Sequence, residues 1–151
     1  MGVSVFPAPS AASKTRYVET LLSGTSWTVP AGVTYVNAKL FGAGGSGSGN
    51  GTNLQDGQGG QVVATRVTTT PGASITYAIG AGGATSTTLE GNAGGTTTFT
   101  GATSATGGTK GAPSYQYGAA PAGESANNGS YGATNNSGPG GAGKIELEYW
   151  L

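Results

Sequence analysis

Apolar and polar side chains alternate strictly in two stretches of the chain, and this alternation predicts β-strands. In residues 34–41, Val36, Ala38 and Leu40 lie on one side, and polar or aromatic residues lie on the other. Residues 144–151 repeat the pattern. Because side chains point alternately to the two faces of a strand, each stretch is typical of a half-buried antiparallel strand. The apolar side of the second stretch consists of Ile145, Leu147, Tyr149 and Leu151.

Shorter runs rich in Val, Thr, Ile and aromatic residues predict five further strands. Pro71 and Gly72 form a turn signal between two of these runs, so we expect the flanking strands to pair as a hairpin. No stretch shows the periodicity of a helix. The chain is therefore predicted to be all-β, a single antiparallel β-sandwich of jelly-roll-like type. The five runs are residues 17–22, 26–29, 61–70, 74–79 and 96–100.

Three long glycine-rich loops separate the predicted strands, at residues 42–60, 80–95 and 101–143. Glycine accounts for 31 of the 151 residues. Such loops can be flexible linkers, or they can pack side by side as extended polyglycine or polyproline II-like helices whose amides bond between neighbours. A phosphate-binding loop is disfavoured, because no helix and no P-loop lysine follow the first glycine run. We expect residues 17–151 to form one glycine-rich β-sandwich domain.

The first 16 residues differ from the rest of the chain. Two prolines favour an extended path, and Val3, Val5 and Phe6 are apolar in a piece too short to bury them by itself. Residues 1–16 are therefore either a frayed terminus or an extended attachment segment that docks on a neighbouring chain. The segment has no signal-peptide pattern, so synthesis in a cytoplasm is expected.

The chemistry available to the chain argues against catalysis. Histidine and cysteine are absent, and the six carboxylates are scattered along the sequence. We expect no catalytic residues, no metal site and no cofactor. Six positive and six negative residues give a net charge of zero, so nucleic-acid binding has no electrostatic basis, and no apolar run is long enough for membrane insertion.

Three tyrosines lie inside the longest glycine-rich loop. Tyr115, Tyr117 and Tyr131 offer amphipathic contact area, which is why binding loops often use tyrosine. Equally, these side chains can fill space between glycine backbones. The sequence leaves both interpretations open.

Several short motifs follow one another along the chain. They are WTVPAGVT at 27–34, FGAGG at 41–45, YAIGAGG at 77–83, GGTTTF at 94–99 and SATGG at 104–108. Their order resembles that of the glycine-rich domain of bacteriophage tail-fibre and related virion proteins. The likeness covers about residues 18–151.

This resemblance implies a non-enzymatic virion protein made in the host cytoplasm. It implies a β-sandwich whose loops contact a host surface receptor, either a glycan or an outer-membrane protein, with Tyr115, Tyr117 and Tyr131 as candidate contacts. Val3, Val5 and Phe6 would dock on other virion proteins. A homotrimer is expected, because phage fibres are commonly trimeric. The alternative is a structural virion component, such as a capsid decoration, head fibre or tail-attachment subunit, that binds no receptor.

Overall fold

A computed structural model describes residues 14–48, 56–87, 90–111 and 138–151 of the chain. These residues form seven strands and contain no helix, so none of them belongs to a helix that could span a membrane. Each strand predicted from the sequence is present, with ends within two residues of the prediction. The strands are β1 Arg16–Leu21, β2 Ser26–Thr28, β3 Tyr35–Phe41, β4 Val62–Thr68, β5 Ser74–Ala78, β6 Thr98–Phe99 and β7 Lys144–Trp150.

The strands form two antiparallel sheets that enclose one core. The first sheet has the order β1-β7-β3-β4, and the second has the order β2-β5-β6. All the strand pairs are antiparallel. The prediction of an all-β antiparallel sandwich is therefore confirmed.

The predicted hairpin around Pro71 and Gly72 is wrong. β4 pairs with β3, whereas β5 pairs with β2 and β6 in the other sheet. The turn is present, with Gly72 at a φ of 79°, but its backbone N–H donates to the Val29 carbonyl at 2.9 Å. This bond holds the turn against the chain after β2, so the turn carries the chain from one sheet to the other. The crossing buries Val67 of β4 and Tyr77 of β5 in the same core from different sheets.

The core contains the apolar positions that the alternation predicted. Leu40 of β3 and Leu147 of β7 are fully buried, and Trp27 of β2 meets them from the small sheet. Leu151 differs from the prediction, because it lies beyond the end of β7 and is 43% exposed. Each buried aliphatic side chain contributes about 1.5–3 kcal/mol, so these rows hold the two sheets together. The other large members of the core are Val29, Val33, Val36, Val67, Tyr77, Phe99, Ile145 and Tyr149.

Candidate functional site

Glycine-rich segments leave one end of the sandwich and pack around residues 42–48, which continue directly from β3 and are buried. The backbone N–H groups of Gly42 and Gly45 donate to the carbonyls of Gln61 and Gln58, at 2.8 and 2.9 Å. The neighbouring residues donate in two other directions. The direction in which the backbone N–H groups point therefore recurs every third residue, as it does in a polyproline II helix. The remaining donors are Ala43 to Gly95 at 3.1 Å, Gly44 to Gly141 at 2.8 Å, and Ser46 to Asn92 at 2.8 Å.

The carbonyl groups of the same central segment accept bonds from two more segments. Gly108 donates to the Ala43 carbonyl at 2.7 Å, and Gly83 donates to the Gly44 carbonyl at 2.9 Å. Further backbone bonds link the outer segments to one another, such as Gly140 to Gly83 at 2.8 Å. We call this array the glycine lattice. It consists of the central residues 42–48 and the surrounding segments 56–61, 80–87, 90–96, 105–111 and 138–143.

Glycine is required in the lattice because the backbones approach too closely for any side chain. A Cβ atom added to Gly42 would lie 2.0 Å from the Thr106 carbonyl oxygen, and one added to Gly108 would lie 1.9 Å from that of Gln58. Of the glycines that the structure describes, those with positive φ lie outside the lattice, in turns. The lattice glycines therefore provide space rather than unusual dihedral angles. The α-hydrogens that replace these Cβ atoms point at carbonyl oxygens, which is the geometry of a weak Cα–H···O contact.

A spacing in the sequence accompanies this packing. Each of the six lattice segments carries two glycines three residues apart, which matches the three-residue repeat of the backbone bonds. A strict Gly-x-y period is absent, so this shorter Gly-x-x-Gly signal was missed in the sequence analysis. The pairs are Gly42 and Gly45, Gly57 and Gly60, Gly80 and Gly83, Gly91 and Gly94, Gly108 and Gly111, and Gly140 and Gly143.

A buried threonine joins the lattice to the sandwich. The hydroxyl of Thr97 donates to the Phe41 carbonyl at 2.8 Å and accepts a bond from the Gly80 N–H at 3.0 Å. Thr97 is fully buried, so both bonds are shielded from water. They link the last residue of β3 to the segment that follows β5, and thereby fix the lattice at its proximal end.

The distal end of the lattice is the end farthest from β3, and it carries the charged side chains of the described lattice segments. Ser48 lies at this end of the central segment, and the Gly111 N–H donates to the nearby Ser46 carbonyl at 3.0 Å. Lys110 and Glu90 form an ion pair there. Partial burial raises the pKa of Asp56.

The candidate site residues from the sequence lie outside the described part of the chain. Tyr115, Tyr117 and Tyr131 belong to residues 112–137. The candidate docking residues lie in residues 1–13. They are Val3, Val5 and Phe6.

The outer face of the four-stranded sheet carries a connected set of charged and aromatic side chains. Arg16 pairs with Glu148, and the Asn37 amide donates to the same carboxylate at 3.3 Å, so both partners lower the pKa of Glu148. Lys144 pairs with Glu146 at 2.7 Å. Both carboxylates therefore have cationic partners on a partly solvated face. Within the described ranges, no three potential metal ligands come together.

An open depression of about 350 Å³ lies against β5 and β6. Its polar groups are mainly hydroxyls, and those of Thr76 and Thr100 lie 2.8 Å apart. No charged side chain lines it. The depression therefore offers hydrogen bonds but neither an acid nor a base.

Comparison with known proteins places the chain in one family. Residues 20–147 match the glycine-rich domain family, so the chain belongs to that family. Among curated proteins, none gives a significant match.

Proposed function

We propose that this chain is a non-enzymatic bacteriophage virion protein, a tail-fibre or tail-tip module that contacts the host surface through its glycine-rich loops. The observation that carries this proposal is the glycine lattice, in which the buried residues 42–48 are bonded through their backbone to five surrounding segments. The lattice lies at the end of the sandwich where β3 finishes and β7 begins, so the described part of the molecule ends there in a backbone array with very few side chains inside it.

The lattice suits the presentation of recognition loops. Its segments are joined by backbone hydrogen bonds, and buried bonds of this kind resist opening. A fixed base reduces the conformational entropy that a loop loses when it binds. Residues 112–137 also contain the three tyrosines, whose rings offer faces for stacking on sugars or on receptor loops. The proposed receptor is a surface glycan or an outer-membrane protein of the host.

The proposed partners inside the particle are other virion proteins. Val3, Val5 and Phe6 would dock on them, and the chain would assemble as a homo-oligomer. β1 begins at Arg16, so a chain that lacks residues 1–13 keeps all seven strands. Such a chain should fold but fail to enter particles; normal incorporation would exclude the docking role.

A structural virion role is the second candidate. Exposed apolar side chains around β1, including Val18 and Leu22, suit contact with another subunit rather than with a host receptor. In that case the protein would be a capsid decoration, a head fibre or a tail-attachment subunit.

A triple substitution separates these candidates. Tyr115→Ala, Tyr117→Ala and Tyr131→Ala together should reduce adsorption of the phage to its host at least tenfold and leave the melting temperature unchanged. Thr70→Ala provides a control, because Thr70 is exposed, follows β4 at the end of the sandwich away from the lattice, and lies outside the β1 edge. Adsorption that equals that of the control would favour the structural role. A large drop in melting temperature would show that the tyrosines pack the fold.

A further inference from the structure

β1 is an outermost strand of the four-stranded sheet, and its outer edge has no partner among the described residues. Thr15 and Leu151 exchange two backbone bonds, at 2.6 and 3.0 Å. In antiparallel pairs such doubly bonded residues alternate with residues whose backbone groups point away. The N–H and C=O groups of Arg16, Val18 and Thr20 therefore point outward, away from β7.

The exposed large apolar side chains of the described part of the chain cluster around this edge. Tyr17 is 43% exposed, Val18 is 53% exposed, and Leu22 is 67% exposed. The fourth, Leu151, is paired with Thr15 just beyond the strand. Tyr17 lies beside Tyr149 on the core side of the sheet, and Val18 lies beside Glu148 on its outer side, so apolar side chains flank the edge on both faces. Isolated apolar side chains on a surface are ordinary, but an open strand edge flanked in this way is a template for another strand.

The opposite edge of the same sheet is protected. Both outermost strands carry an exposed arginine, Arg16 on β1 and Arg66 on β4, so charge does not distinguish the two edges. The chain crosses beside β4, however, because the Thr103 N–H bonds the Thr65 hydroxyl at 3.3 Å and the Gln61 N–H bonds the Thr106 carbonyl at 2.9 Å. The two edges of one sheet therefore differ, and only the β1 edge has the features of an interface.

We propose that β1 pairs with β1 of a second copy of this chain, antiparallel and centred on Val18, so that two sheets join into one. In this register Val18 faces Val18 of the second copy, and Arg16 faces Thr20. Their outward N–H and C=O groups then all find partners. A two-fold contact uses the same surface twice, which makes the strand its own complement.

The side chains of this register are compatible with one another. Val18 meets an identical apolar side chain, and Tyr17 lies opposite Glu19 of the second copy. No like charges lie directly opposite, although such pairs would destabilise an antiparallel strand pair. This interface produces assemblies with an even number of copies, and the trimer expected from the sequence would need another contact. The inference does not depend on receptor binding.

The mass of the protein in solution provides the first test. Sedimentation at tens of micromolar should show a dimer or an even multiple of it. Val18→Lys places two ammonium groups opposite each other and should weaken the association at least tenfold, while the variant keeps the circular dichroism spectrum of the folded wild type and unfolds cooperatively. Thr68→Lys on β4, the other outermost strand, is the matched control and should leave the dimer intact, because Thr68 is exposed and lies opposite the uncharged Tyr35. A monomeric or trimeric wild type, or a dimeric Val18→Lys variant, would overturn the proposal.

Cysteine cross-linking tests the register, because the chain contains no cysteine of its own. Paired Cα atoms at bonded positions lie about 5.5 Å apart, within the range of a disulfide. Val18→Cys should therefore form a covalent dimer under mild oxidation. A mixture of Arg16→Cys and Thr20→Cys chains should form a heterodimer, whereas Arg16→Cys alone should not cross-link. Cross-linking of Arg16→Cys with itself, or no cross-link at Val18→Cys, would contradict the two-fold register.

Discussion

At the scale of single residues, the lattice depends on glycines that cannot be replaced by alanine. Gly108 is the sharpest case, since its N–H donates to the Ala43 carbonyl while its missing Cβ leaves room for the Gln58 carbonyl. A methyl group there must displace backbone rather than the flexible end of a side chain. The requirement is steric, and it differs from the need for positive φ at Gly72.

Gly108→Ala should therefore lower the free energy of unfolding by about 1–3 kcal/mol or more, the usual cost of overpacking a close-packed interior. Thr109→Ala is the matched control, because Thr109 is the next residue and its side chain is exposed. Urea unfolding followed by intrinsic fluorescence measures both. Equal stability of the two variants would show that the segments around Gly108 separate at little cost.

A second effect at this scale concerns Tyr149. Its hydroxyl donates to the Glu19 carboxylate at 2.8 Å, and burial together with this carboxylate raises the pKa of Tyr149 to about 12. The Trp27 indole donates to the same carboxylate at 2.6 Å. The neutral phenol is therefore favoured in the folded state.

The stabilisation from the Tyr149 phenol should be complete below about pH 10, where the unfolded chain also keeps its proton, and lost as the pH rises through about 12. Each pKa unit corresponds to about 1.4 kcal/mol, so the loss should be about 2–3 kcal/mol. Denaturant unfolding across this interval measures it. Tyr149→Phe cannot ionise and should flatten the profile; an equally steep decline in that variant would contradict the assignment.

At the scale of elements, β7 holds the sandwich together. It pairs with β1 on one side and with β3 on the other, and Ile145, Leu147 and Tyr149 are buried as the alternation predicted. Its other face carries Glu146 and Glu148, which pair with cations. One face of β7 therefore packs in the core, and the other face forms ion pairs at the surface.

Leu147→Ala should cost about 2–5 kcal/mol, because it leaves a cavity at a fully buried position. Glu146→Gln on the partly exposed face of the same strand should cost less than about 1 kcal/mol, as expected for a surface ion pair. Thermal unfolding distinguishes the two. A Leu147→Ala protein that melts like the wild type would show that β7 is peripheral.

The elements also show how far the sequence determines the structure. Strict alternation located β3 and β7, because one face of each is buried. The predicted hairpin at Pro71 is wrong, because a turn signal does not reveal whether the next strand returns to the same sheet. That choice depends on long-range burial of Val67 and Tyr77 in one core. Packed glycine loops were foreseen as one option, but the Gly-x-x-Gly spacing gains its meaning only when several segments lie together.

At the scale of the whole molecule, the chain has two ends with different properties. The sandwich supplies hydrophobic burial, and the glycine lattice supplies a hydrogen-bonded base with very few side chains inside it. The exposed large apolar residues of the described chain lie along β1, from Tyr17 near the end of β7 to Leu22 near its start, and at Leu151.

The proposal of a receptor-binding module is tested most directly by competition with the intact phage. Purified protein, added to host cells before the phage, should bind the cells and reduce phage adsorption in a dose-dependent way. Protein with the triple tyrosine substitution is the control and should compete at least tenfold less well at equal stability. Wild-type protein that is folded but neither binds the cells nor reduces adsorption at micromolar concentration would contradict the account.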